Sequence, residues 1–333
     1  MDLFVVTSPL QYVCALEAKE YFNSQNAILV LVNQKSALGL EQQHRLLNTQ
    51  EWQHVITISR DNRSITVPNT IRQIRGILKG KPIQRFFYAE YNAWRTKLLI
   101  KNLPIEQEIY FDDGTLTLAE YPKFIFPKAE FFRPRWFQDF VVRLNGCKPI
   151  GRLKQSQNLE VFTMFNLNPT VHNIHKNTLQ SLRKQYGKPN LYNEHAPIGF
   201  IGQGAIGDKY QKSVQQYLVE LQTLAESANR KIIYFPHRTE RNEVREKLEK
   251  EEHIIYHRSE YPLDLEIELI DKKIELSGFI GTYSTVMFTA RLLYPELPIY
   301  TISNDFPDKE LKEELDRQFK AINVKKINSF NDL

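Results

Sequence analysis

The chain has 333 residues, with 44 Lys and Arg against 39 Asp and Glu. The resulting net charge of +5 suits anionic small ligands or an acidic surface and is too small to imply a nucleic acid partner. A hydrophobic fraction of 42% and a charged fraction of 25% are ordinary for a soluble protein, the length exceeds what one core usually organises, and Cys14 and Cys147 alone exclude a disulfide framework or a zinc site.

Two domains in a reducing compartment are therefore expected. No run reaches the ~20 apolar residues that cross a bilayer. Met1-Asp2-Leu3 opens a stretch too short and too acidic for a secretory signal, so a cytoplasmic protein is expected, its basic surface able to rest on the inner face of the membrane.

Leu3 to Val6 reads as a strand that Ser8-Pro9 ends, and Leu10, Val13, Cys14, Leu16 and Ala18 continue as one helix face to about Phe22. Further strands are predicted at Ala27 to Asn33, Val55 to Ile58, Arg85 to Tyr88 and Glu108 to Phe111, with helices at Leu40 to Asn48 and Thr70 to Leu78. Such alternation implies a largely parallel sheet. From Pro122 to Gly151 the pattern gives way to prolines, aromatics and basic residues, including Phe131-Phe132-Arg133-Pro134-Arg135-Trp136-Phe137, with a helix over Gln138 to Asn145. Gly146 to Asn158 reads as a connector, so the domains are expected at 1–155 and 156–333.

In the second half, strands are predicted at Val161 to Phe165, Ile198 to Ile201, Ile232 to Phe235, Ile254 to Tyr256, Gly278 to Ile280 and Ile299 to Ile302. Helices fall near Asn173 to Tyr186, Asp208 to Ser227 and Glu240 to Glu251, and the last helix is expected to pack back on the first domain. The expected fold is α/β of the GT-B kind, two Rossmann-like domains with largely parallel sheets facing a central cleft. Fold alone does not fix function.

Four stretches stand at predicted strand ends, where open α/β sheets bind ligands. Asp112-Asp113-Gly114 follows Ile109-Tyr110-Phe111 and offers two carboxylates, one able to act as a general base and the other to orient an acceptor hydroxyl; an ordinary Asp-Gly turn is equally consistent. Gly202-Gln203-Gly204 follows Ile198 to Ile201 and lets backbone amides approach an anion. Asp208 beyond it reads first as a helix N-cap. His237 and Arg238 follow the run Ile232 to Phe235 after Pro236 and can hydrogen-bond or protonate a leaving phosphate. Ser284 and Thr285, after Gly281 and before an apolar helix, offer two hydroxyls at a helix N-terminus. Asp264 and Glu266 could accept ribose hydroxyls, whereas His172 and His175 read as residues of a surface helix rather than metal ligands.

Taken together, Ser8-Pro9-Leu10-Gln11, Asp112-Asp113-Gly114, the His237 segment and Ser284-Thr285, in this order over residues 5 to 290, resemble the bacterial GT-B sialyltransferases. The lipooligosaccharide sialyltransferase family is the nearest resemblance, with polysialyltransferases as relatives. The resemblance implies CMP-sialic acid as donor, a glycan hydroxyl as acceptor and an inverting transfer that requires no cofactor or metal. It implies Asp113 as the base, His237 as phosphate ligand or general acid, and Ser284 with Thr285 as the phosphate cradle. Gly202, Gln203, Gly204, Arg238, Asp264 and Glu266 fall on the donor side, and Ser8, Gln11 and Asp112 on the acceptor side. Asp208 is an alternative base ranked after Asp113.

Two positions depart from the family pattern. Proline precedes His237 rather than following it, and Tyr283-Ser284-Thr285 holds one serine where the family pairs two. A UDP-sugar donor on the same fold and a non-catalytic nucleotide- or glycan-binding subunit are the competing readings. Association as a homodimer is left open.

Overall fold

The structure, a computed structural model, describes the chain except residues 36, 187–189, 205, 209–211, 238–239, 258–273, 303–307 and 328–333. It divides into two compact units, Met1–Leu182 and Arg183–Leu333.

In the first unit, β1 (Asp2–Val6), β2 (Ala27–Val32), β3 (His54–Ile58), β4 (Ile83–Tyr88), β5 (Ile105–Phe111), β6 (Leu159–Thr163) and β7 (Asn173–Lys176) form one sheet. Its order is β3-β2-β1-β4-β5-β6-β7 and every pairing is parallel. β1 and β2 are buried along their whole length, which is why their sequences are continuous apolar runs rather than alternating ones. The connecting helices are α1 (Pro9–Tyr21), α2 (Ala37–Leu46), α3 (Arg63–Leu78), α4 (Trp94–Asn102), α5 (Leu116–Glu120) and α6 (Trp136–Leu144). α7 (Gln180–Tyr186) starts at the end of this unit.

In the second unit, β8 (Ile198–Ile201), β9 (Ile232–Phe235), β10 (Ile254–Tyr256), β11 (Gly278–Gly281), β12 (Ile299–Ile302) and β13 (Lys325–Ile327) pair in the order β10-β9-β8-β11-β12-β13, again all parallel. α8 (Val214–Ala228), α9 (Asn242–Leu248), α10 (Thr285–Leu293) and α11 (Lys309–Ala321) accompany them. Each unit has its own core, aromatic and aliphatic in the first and centred on Phe200, Tyr217, Leu221 and Tyr234 in the second. The expected class, two Rossmann-like units with largely parallel sheets, is what the chain adopts.

Three expectations need correction. The run at Val161 to Phe165, expected to open the second domain, belongs to β6, which pairs with β5 from Glu108↔Leu159 to Phe111↔Phe162. The division therefore falls between Leu182 and Arg183 rather than at 155/156. The predicted helix at Asn173 to Tyr186 is an edge strand, β7, followed by the shorter α7. Finally, α8 starts at Val214 under a capping box of Ser213 and Gln216, so Asp208 is not its N-cap.

Both sheets reverse winding direction beside their first strand, between β1 and β4 and between β8 and β11. Such switch points open a crevice at the strands' carboxyl ends.

Candidate functional site

In the first unit the site is built where β1, β4 and β5 end. Gly114 sits at φ 61°, a left-handed conformation that glycine adopts without strain, and it turns the chain sharply after Asp112-Asp113. Asp112 is wholly buried. Its Oδ1 accepts from the Thr163 hydroxyl at 2.5 Å and its Oδ2 from the Met164 N–H at 2.6 Å, so it ties β5 to the end of β6. Burial pushes its carboxyl up to about 7 against these bonds and the nearby Lys176 ammonium. Expected on the acceptor side, Asp112 is instead an internal brace.

Asp113 is half-buried, and its Oδ1 accepts from the Gln11 side-chain amide at 2.8 Å. Gln11 is held in turn, because its Oε1 accepts from the Thr7 N–H at 2.7 Å. Ser8 is the N-cap of α1, its hydroxyl accepting from the Gln11 N–H at 3.3 Å, with Pro9 opening the helix. Ser8-Pro9-Leu10-Gln11 thus works as a unit that orients an amide toward Asp113. The buried Gln11 is bonded to Asp113, and Ser8 to Gln11.

The Thr7 hydroxyl donates to Glu90 Oε1 at 3.0 Å, and the Thr7 carbonyl accepts from Arg60 and Gln34. None of these residues stood out in the sequence. Glu90 carries the same signal as Asp113, an acid two residues beyond an apolar strand, here after Tyr88. It was legible.

In the second unit the expected donor residues stand on three neighbouring strands in the order β9-β8-β11. Gly202 ends β8 under a close approach: a Cβ there would lie 2.4 Å from the Tyr234 hydroxyl and 3.0 Å from the Phe235 carbonyl. Gln203 and Gly204 follow, partly exposed, and Asp208 is exposed farther along the loop.

His237 is exposed beyond β9, and its carbonyl accepts from the Glu240 N–H at 2.8 Å. Beneath these loops Tyr217 donates to the Tyr234 hydroxyl at 3.2 Å, while Tyr234 donates to Glu240 and Tyr256 donates to Glu240 Oε1 at 2.7 Å. Burial pushes the Glu240 carboxyl up. This polar chain holds the Tyr234 hydroxyl against Gly202, and its Glu240 is tied through the backbone to His237. Ser284 is the N-cap of α10, its hydroxyl accepting from the Val286 N–H at 3.4 Å, and Thr285 is the first residue of the helix. Arg238, Asp264 and Glu266 lie outside the described residues.

His172 and His175 are not on a helix. His175 lies on β7 with its Nε2 2.7 Å from Glu160, and His172 precedes that strand beside the Tyr121 hydroxyl. Among the described residues no group of three His, Cys, Asp or Glu side chains comes together in a metal-binding cluster.

No family model matches the sequence, and no curated protein matches it. Solved structures do resemble it. The α/β-galactoside α-2,3-sialyltransferase of the luminous marine bacterium Photobacterium phosphoreum is 13% identical at a TM-score of 0.52, over 100% of this chain and 98% of that one. A sialyltransferase from Photobacterium damsela is 11% identical at a TM-score of 0.50, over 98% of this chain and 81% of that one. At such identities the likeness is one of fold, and it agrees with the two parallel sheets: the chain has the GT-B class of fold.

Proposed function

We propose that this chain is a glycosyltransferase, an inverting and metal-independent sialyltransferase that moves sialic acid from CMP-sialic acid to a hydroxyl of a surface glycan, lipooligosaccharide or capsule. Two observations, one in each unit, carry the reading: Asp113 is held by Gln11 at the end of β5, and the second sheet presents Gly202, His237 and Ser284 at the ends of three adjacent strands. A fold shared with a galactoside sialyltransferase supports the donor and favours a galactoside acceptor. Asp208, exposed in the loop after β8, remains the alternative base.

In this mechanism Asp113 takes the proton of the acceptor hydroxyl. The freed oxygen attacks the anomeric carbon of sialic acid as the bond to the CMP phosphate oxygen breaks, and CMP leaves with the electron pair from the opposite face. The Gln203–Gly204 backbone and the N-terminus of α10 receive the developing phosphate charge, which the positive end of a helix favours; the Gly202 N–H is given to the Phe235 carbonyl at 2.8 Å, so Gly202 contributes the close approach of the chain. His237 shares that charge as ligand or acid.

The same reading places the enzyme in the cytoplasm against the inner face of the membrane. Helix α6 supports that location: Trp136, Phe137, Phe140 and Leu144 are 88%, 74%, 56% and 71% exposed, and Arg133 and Arg143 are exposed beside them. Aromatic and leucine side chains flanked by arginines are the composition of an interfacial helix on anionic lipid.

His237→Ala is expected to cut turnover of CMP-sialic acid by roughly 100- to 10,000-fold, the usual contribution of a positioned acid, while circular dichroism stays unchanged. A variant that turns over normally would remove His237 from the phosphate site.

A further inference from the structure

We propose that a cationic pocket in the first unit binds a carboxylate or phosphate group of the acceptor. The naming of that ligand as the acceptor rests on the sialyltransferase reading. The pocket is a cavity of about 450 Å³, lined by Arg60, Arg63, Arg95 and Lys123 together with Glu90 and Glu120. Small-molecule sites are commonly of this size.

Its two acids are already engaged. Glu120 accepts from the Tyr91 and Asn92 N–H groups at 2.9 and 3.1 Å and from the Tyr110 hydroxyl at 3.3 Å. Glu90 accepts from Thr7 and stands 3.7 Å from Arg95 Nη1. Four cationic side chains therefore face two committed carboxylates.

Arg95 is the decisive residue. Its side chain is only 6% exposed, and its buried Nε has no hydrogen-bond partner. Burial pulls the guanidinium down to about 10, with Arg63 and Arg60 adding to the effect and Glu90 opposing it. A buried guanidinium N–H normally has an acceptor, and the planar fork of arginine is suited to the oxygens of carboxylates and phosphates. A bound oxyanion would satisfy Arg95 and relieve the repulsion among three guanidiniums.

The pocket also joins the base. Glu90 and Arg60 both hydrogen-bond Thr7, whose N–H holds Gln11, which holds Asp113. An acidic group seated among these arginines lies on the same frame that positions the candidate base.

The test measures dissociation constants of the full chain, by calorimetry at low salt, for methyl β-galactoside, methyl β-galacturonoside and galactose 6-phosphate. One of the two charged sugars is expected to bind roughly tenfold or more tightly than the neutral one, the scale of one or two charge-assisted hydrogen bonds. A preference for galacturonoside identifies a carboxylate as the ligand, and a preference for the 6-phosphate identifies a phosphate. Arg63→Glu with Lys123→Glu, both at exposed positions, should abolish the preference without lowering the melting temperature; Arg95→Lys, which keeps the charge and loses the fork, should reduce it. Equal binding of all three sugars, absence of binding, or a preference that survives Arg63→Glu/Lys123→Glu overturns the proposal. Hydrolysis of CMP-sialic acid by the same samples is scored separately. Hydrolysis without a charge preference removes the pocket alone, and a preference without hydrolysis removes the transferase reading alone.

Discussion

Asp112 and Asp113 are adjacent in sequence, yet the structure gives them different surroundings, one wholly buried and the other half-buried, and each carries its own prediction. Asp112 is buried, with its carboxyl raised to about 7 by desolvation. Its folded value lies above its unfolded one, so between the two the folded state holds a proton that the unfolded state does not. Stability from this group is present at low pH and is lost as pH rises toward 7, by at most about 1.4 kcal/mol per pH unit. Asp112→Asn cannot ionise but loses the acceptor for the Met164 N–H. The variant should therefore fall further below the parent chain at pH 5 than at pH 8 in denaturant melts; a pH-independent gap would contradict the burial argument. Asp113 poses the catalytic question. The Gln11 amide holds one of its carboxylate oxygens at 2.8 Å and so fixes its orientation. Gln11→Leu should lower kcat for sialyl transfer roughly tenfold or more while leaving KM for CMP-sialic acid nearly unchanged, the loss expected when a catalytic group is no longer positioned. A kcat that does not change points to Asp208 as the base.

Elements differ in how plainly the sequence declares them. β1, β2 and β8 are apolar runs with both faces covered, and no other reading fits them. β7, Asn173-Ile174-His175-Lys176, is an edge strand with half-buried or exposed side chains, so it lacks that run and resembles the start of a helix. β6 was recognisable as a strand but not as a member of the first sheet, because hydrophobic contact does not encode which neighbour it serves. Ser213-Val214-Gln215-Gln216 is a legible capping box, and it outranks Asp208 once the reciprocal bonds are considered. The Gln11–Asp113 bond joins residues 102 apart in sequence and leaves no local trace. In the sequence Gly202 stands for room beside an anion, and the structure adds a second reason for it: a methyl group would strike Tyr234 and the Phe235 carbonyl. Because Tyr234 is locked between Tyr217 and Glu240, Gly202→Ala should cost about 1–3 kcal/mol in a melt, the usual scale of overpacking. Helix α6 predicts a surface property. The full chain should sediment with vesicles containing anionic lipid and remain soluble with neutral ones, and Trp136→Ser with Phe137→Ser should release it. If the same pair of substitutions instead converts a dimer to a monomer without any vesicle binding, the exposed face belongs to a second copy of the chain.

At the scale of the whole molecule, two units with the same winding order and separate cores allow ligands to be assigned by the unit they stabilise. A ligand that binds only the folded state adds stability by mass action, ~2.7 kcal/mol at a hundredfold excess over its dissociation constant. If the second unit holds the nucleotide, CMP should raise the temperature at which that unit unfolds. It should also slow amide exchange at Gly202 to Gly204, at His237 and along the first turn of α10, while exchange around Thr7, Gln11 and Asp113 stays as it was. Calorimetry with CMP and UDP in parallel, followed by exchange mass spectrometry, separates the competing donors. Stabilisation by UDP alone would move the reading to a hexose or hexosamine donor on the same fold. Protection by CMP confined to the first unit would reverse the assignment of donor and acceptor sides. Stabilisation by CMP in the second unit, without hydrolysis of CMP-sialic acid in any acceptor mixture, would identify a nucleotide-binding subunit that has kept the Ser284 helix N-terminus but does not use Asp113 as a base.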